Sequence, residues 1–68
     1  MDQNSIGQKI RLARVKKGMT QADLAGAMSV SQGAVCQWES GITLPKARSI
    51  LKLSKLLEIP VDELLKAG

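Results

Sequence analysis

The 68-residue chain contains no histidine, no phenylalanine and no tyrosine, and it has one tryptophan and one cysteine. Each shortage removes a class of function. Without histidine, and with a single thiol at Cys36, the usual zinc arrangements cannot be assembled, and one cysteine cannot close an internal disulfide. No metal site and no cofactor are expected. Cys36 also lacks the imidazole that would activate it as a nucleophile, and neither an acidic cluster nor a glycine-rich phosphate loop is present. An enzyme is not expected. Apolar runs fall short of the roughly 20 residues that a membrane-crossing helix needs, and the N-terminal MDQNSIGQKI lacks the apolar stretch of a signal peptide. These features fit a reducing, cytoplasmic setting with no membrane partner, and no feature marks a small-molecule ligand.

With Trp38 as its one aromatic residue, the chain must build its core from Leu, Ile, Val, Met and Ala. Its length allows one domain, residues 1–68, near the lower limit for a self-sufficient core. The aliphatic, Leu/Ala/Lys-rich composition favours an all-α fold over a sandwich or barrel. Asn4 or Ser5 can cap a first helix running to about Lys17, with Ile6, Ile10 and Ala13 inward and Gly18 as its stop. Thr20 caps a second helix with Leu24, Ala25 and Met28 on one side. Only Ser29 and Val30 separate it from a third, capped by Ser31 and ended by Gly41, so helices two and three must cross steeply. Pro45 either completes a turn or opens a fourth helix over about Lys46 to Leu57, with Ile50, Leu53 and Leu57 inward. After Pro60, a short fifth helix carries Leu64 and Leu65.

The chain is basic, with a net charge of +4, which favours a polyanionic partner but also serves plain solubility. Its distribution is more informative. Five cations lie between Lys9 and Lys17, four between Lys46 and Lys55, one at Lys66, and none from Gly18 to Pro45. Within that neutral centre, Gln32, Gly33, Cys36, Gln37 and Ser40 share one arc of helix three, opposite Ala34, Val35 and Trp38. An amide presents a donor and an acceptor together, matching N6 and N7 of adenine in the major groove, while glycine and cysteine leave room for close approach. A merely solvated helix face would have the same composition, so the arc alone does not decide.

The run IRLARVKKGMTQADLAGAMSVSQGAVCQWESGITLPKARSILKLSKLLEIPVDELL carries several marks at a joint spacing. Gly18 precedes Met19-Thr20-Gln21, Leu24-Ala25 lies in helix two, Val30-Ser31 enters helix three, and Val35 with Trp38-Glu39 follows before the closing VDELL. In these respects the chain resembles the lambda-repressor-like helix-turn-helix family of Cro, CI and Xre type, and among its members the N-terminal domains of lambdoid phage repressors. The resemblance implies a compact five-helix domain in a bacterial cell or phage-infected bacterium, with helices two and three forming the helix-turn-helix. It assigns Gln32, Gly33, Cys36 and Gln37 to base edges, and Gln21, Ser40, Lys46, Arg11 and Arg48 to phosphates. Gln21 would also brace helix three, and Arg14 with Glu39 would form an internal ion pair. Two positions depart from the family pattern, because Ser29 and Glu58 stand where glycine is usual.

The expected function is therefore sequence-specific binding of an operator in double-stranded DNA by a transcriptional regulator, a repressor. One small domain buries little DNA surface, so a homodimer on a palindrome is expected. Its interface is expected on helices four and five, around Leu56, Glu58, Val61, Asp62 and Glu63, because Leu56 is apolar yet off the main inward spacing; the alternative for Leu56 is that it fills a secondary edge of the core. An antitoxin-like or other protein-interaction module on the same fold is the alternative.

Overall fold

The computed structural model describes residues 5–66, and among them it forms helices only. These are α1 (Ile6–Lys16), α2 (Gln21–Met28), α3 (Gln32–Ser40), α4 (Ala47–Leu57) and α5 (Val61–Lys66). Ser5 caps α1 by accepting from the Gln8 backbone N–H at 3.3 Å, while the alternative cap, Asn4, lies outside the described residues. Ser31 does the same for α3 through Ala34 N–H at 3.1 Å. α4 starts one residue later than expected, at Ala47, and its cap position is Lys46, whose side chain has no acceptor to offer. Pro45 is buried in the loop ahead of that cap and does not open the helix.

The first four helices stop by one device, a left-handed residue that folds two backbone N–H groups back onto the last turn. Gly18 (φ 72°) sends its own N–H to Val15 O and that of Met19 to Arg14 O, and Gly41 (φ 82°) does likewise at the end of α3. Ser29 (φ 60°) and Glu58 (φ 57°) hold the same conformation without being glycine. The departure at Ser29 thus leaves the turn geometry intact: Val30 N–H still reaches Ala25 O at 3.0 Å, and α3 enters two residues later. What it costs is the αL penalty of a side chain, about 1 kcal/mol.

At the start of α2, Thr20 and Asp23 form a reciprocal capping box. Thr20 N–H donates to Asp23 Oδ2 at 2.9 Å and Asp23 N–H to Thr20 Oγ1 at 3.0 Å. The backbone hydrogen bond from Thr20, followed by that from its hydroxyl, holds the Asp23 carboxyl below its ordinary range. A depressed carboxylate pKa adds stability that is complete above the unfolded value and lost as pH falls through the folded one. Thermal unfolding of wild type should therefore lose a small increment below about pH 4. Asp23→Asn is expected to remove that increment, giving a shallower acid limb; an unchanged limb would show that the box does not couple to folding.

The core consists of Ile6, Ile10, Leu24, Ala25, Met28, Val35, Trp38, Leu53, Leu57 and Leu64, one or more from every helix. Ala13, Ala34 and Ile50, all expected inward, are half-buried at its edge. In α5 only Leu64 is inside, and Leu65 is 65% exposed. α1 lies directly against α3. A Cβ on Gly7 would stand 2.3 Å from the Trp38 carbonyl oxygen and 2.7 Å from that of Glu39, so the two backbones meet where no side chain fits. This contact fixes the C-terminal half of α3 against the body of the domain.

Candidate nucleic-acid interface

α3 has two faces of opposite character. Val35 (0% exposed) and Trp38 (6%) are sunk in the core, whereas Gln32, Gly33, Cys36, Gln37 and Ser40 are all exposed. The separation follows from the 100° advance per residue, which places positions 33, 36, 37 and 40 on one side and 35 and 38 on the other. No charged group sits on the outward arc. It carries two amides, a thiol and a hydroxyl, the last donating to the Gln37 carbonyl at 3.3 Å. Such a surface can exchange hydrogen bonds with donors and acceptors alike and admits a partner to short range.

Behind the arc, Glu39 joins three helices. Its Oε2 accepts from Arg14 Nε at 2.6 Å, and its Oε1 accepts from Arg14 Nη2 at 3.1 Å and from Gln21 Nε2 at 3.2 Å. Arg14 Nη1 also donates to the Met19 carbonyl at 2.7 Å, tying the α1–α2 turn to the same guanidinium. Both partners are enclosed, with side-chain exposures of 11% for Arg14 and 5% for Glu39. The hydrogen bonds that Arg14 donates to Glu39 raise the Arg14 pKa despite its burial, so the guanidinium keeps its charge. Gln21, the first residue of α2, is half-buried and thereby held at a defined distance from α3.

Arg11, Gln21, Cys36 and Ser40 come together with this pair around a cleft of ≈ 280 Å³ at the junction of α1, α2 and α3. Lys46 and Arg48 do not line it. They stand exposed at the start of α4, across the Gly41–Pro45 loop from the end of α3. Arg11, Lys46 and Arg48 have no acidic partner among the described residues, whereas Lys9 pairs with Glu63 and Lys17 with Glu58. Uncompensated positive charge thus lies beside the arc at Arg11 and after it in the chain at Lys46 and Arg48.

A second surface lies on α4 and α5. Ala47, Ile50, Leu51, Val61 and Leu65 enclose an apolar hollow of ≈ 270 Å³, with Leu51 55% and Leu65 65% exposed. Leu56 is half-buried against the core instead, and Glu58 is exposed but engaged by Lys17. Val61 belongs to the hollow, and its neighbours Asp62 and Glu63 are exposed. The sequence reading names Leu65 only as carried by the fifth helix and does not name Leu51, although helical spacing puts Leu51 farther from Leu53 and Leu57 than Leu56 is. Among the described residues no helix is long and apolar enough to cross a membrane, and no three His, Cys, Asp or Glu side chains gather as metal ligands.

Comparison with known proteins places this arrangement. The helix-turn-helix family model matches residues 10–64. Repressor protein C2 of Salmonella phage P22 is 39% identical over 66 residues, which are 97% of this chain and 31% of that protein. The transcriptional activator BcrR of Enterococcus faecalis is 38% identical over 60 residues, 88% of this chain and 29% of that protein. The chain thus spans less than a third of the length of either. Among solved structures, the P22 c2 repressor in complex with a synthetic operator superposes with a TM-score of 0.86 at 39% identity, covering 94% of this chain and 97% of that one. SinR, a master regulator for biofilm formation solved in complex with DNA, gives 0.79 at 30% identity, covering 88% of this chain and 97% of that one. With five helices, the α2–α3 crossing through Ser29 and Val30, and a match over most of its length, the chain belongs to the helix-turn-helix family of the Cro and CI type.

Proposed function

We propose that this chain is the sequence-specific, double-stranded DNA-binding domain of a transcriptional regulator, acting as a repressor by occupying a promoter. α3 enters the major groove, and Gln32, Gly33, Cys36 and Gln37 meet base edges. α2 crosses the backbone, with Gln21, Ser40, Arg11, Lys46 and Arg48 on phosphates and the N-termini of α2 and α4 adding N–H donors. No bond in the DNA is made or broken, and no cofactor or small molecule is needed. The observation that carries this reading is the uncharged, exposed amide arc of α3, with the unpaired Arg11 beside it and the unpaired Lys46 and Arg48 following it at the start of α4. Neutral groups discriminate among bases, and cations supply the salt-sensitive affinity for the backbone.

Selection of tight binders from a pool of random duplexes tests it. The expected product is an inverted repeat with half-sites about 10 base pairs apart. A pool that fails to enrich any sequence would contradict the reading and favour the protein-interaction module.

The symmetry comes from a homodimer. Its face combines Val61, Asp62 and Glu63 with the exposed Leu51 and Leu65, which supply the apolar area that half-buried Leu56 does not. Leu51→Lys is expected to weaken binding to the palindrome about tenfold while leaving a single half-site unaffected. Unchanged affinity for the palindrome in a fluorescence-anisotropy titration would remove the α4–α5 face from the assembly.

A further inference from the structure

α1 holds the end of α3 at two points on one side. Gly7 and Arg14 lie just under two full helical turns apart, and so share the face of α1 that meets α3. Arg14 grips the Glu39 carboxylate through two hydrogen bonds. Gly7 touches the backbone instead. A Cβ there would stand 2.3 Å from the Trp38 carbonyl oxygen, 2.7 Å from that of Glu39 and 3.0 Å from the Glu39 carbonyl carbon. These are main-chain atoms, which cannot swing aside as the tip of a side chain can, so a methyl group at position 7 must displace the helix itself. Reaching even the tightest tolerable contact takes a retreat of roughly 0.7 Å.

That retreat is not shared evenly along α3. The N-terminal end is held by the two-residue connection from α2, where Val30 N–H bonds to Ala25 O at 3.0 Å, and by the Ser31 cap. Gln37 adjoins Trp38, whereas Gln32 lies about 9 Å farther back along the helix axis. Pushing at Trp38 and Glu39 therefore tilts α3 and moves Gln37 more than Gln32. Resting on the DNA-binding reading above, we propose that Gly7 is a positioning residue for sequence recognition: itself buried, it sets the depth at which the Gln37 end of α3 is presented to the bases. Phosphate contacts tolerate the shift better, because exposed Lys46 and Arg48 can follow a phosphate on long side chains.

Gly7→Ala tests this through the ratio of operator to random-duplex affinity, because an unfolded fraction lowers both affinities by the same factor. Gly26→Ala, whose added Cβ meets nothing within 4 Å, supplies a stabilised parent against which every variant is compared. Adding Gly7→Ala is expected to reduce the ratio at least tenfold. In that background Gln37→Ala should cost less than threefold on the selected operator, its contact being lost already, while Gln32→Ala keeps the cost it has in the parent. An unchanged ratio, or Gln32 and Gln37 losing their contributions equally, would overturn the assignment while the DNA-binding reading stands. So would a Gly7→Ala chain that stays unfolded in the stabilised parent with saturating operator, since Gly7 would then serve the fold alone. A wild-type protein that binds no duplex selectively would instead sink the DNA-binding reading.

Discussion

Replacing Glu39 with leucine is expected to cost about 3–5 kcal/mol of folding stability, the usual penalty for stranding one partner of a buried ion pair. A domain of this size has on the order of 5 kcal/mol in total, so the variant should retain about 0–2 kcal/mol and unfold at a much lower urea concentration. The geometry gives the reason. Glu39 receives two of the Arg14 donors and the Gln21 amide, and Arg14 is only 9% exposed, so removal of the carboxylate leaves a guanidinium that water cannot readily reach. The cost should not depend on pH near neutrality. The folded Arg14 pKa is raised, so its contribution is complete below the range where an unfolded arginine titrates and is lost only as pH rises through the higher, folded value. The neutral double variant Arg14→Leu with Glu39→Leu separates orientation from stability. Because two apolar groups can replace a buried pair at little net cost, it should recover most of the loss in a urea titration. It should still bind operator poorly, since Gln21 loses its anchor on α3. A double variant no more stable than the single one would show that the pair itself, and not the stranded charge, holds the fold.

Gln37→Ala is expected to cost about 1–3 kcal/mol on the selected operator, roughly 5- to 150-fold in affinity, and little on random duplex. The side chain is exposed and its amide has no hydrogen-bond partner among the described residues: the hydrogen bond from Ser40 goes to the Gln37 backbone carbonyl, which alanine keeps. Alanine is also the better helix former, so the loss cannot come from unfolding. The slope of affinity against salt should be unchanged, because no phosphate contact is removed. Equal losses on both DNAs would contradict the placement of Gln37 against a base edge.

The helices were legible because their ends are written in local chemistry. Ser5, Thr20 and Ser31 are side chains that accept backbone N–H groups, and Gly18 and Gly41 accept the left-handed stop, so these ends lie within a residue or so of where the sequence puts them. The start of α4 was misplaced by one residue because Lys46 offers no such signature. The two faces of α3 were legible from periodicity, since Val35 and Trp38 cannot be buried without exposing Gln37 and Ser40. α4 was harder. Ile50, Leu51, Leu53, Leu56 and Leu57 surround so much of the helix that the buried side is set by where α1, α2 and α5 pack, and Leu51 rather than Leu56 is left in solvent. Tertiary contacts such as Arg14 to the Met19 carbonyl have no sequence signal at all, because a backbone acceptor looks the same in every residue.

The most direct test is an NMR titration of the 15N-labelled domain with the selected duplex, following backbone and side-chain amide signals. Contact of the α3 arc with bases requires the largest shifts at Gln32, Gly33, Cys36 and Gln37, including the Gln32 and Gln37 side-chain NH2 groups, with smaller salt-sensitive shifts at Arg11, Gln21, Lys46 and Arg48. Shifts concentrated elsewhere, with the two glutamine amides unmoved at saturation, would contradict it.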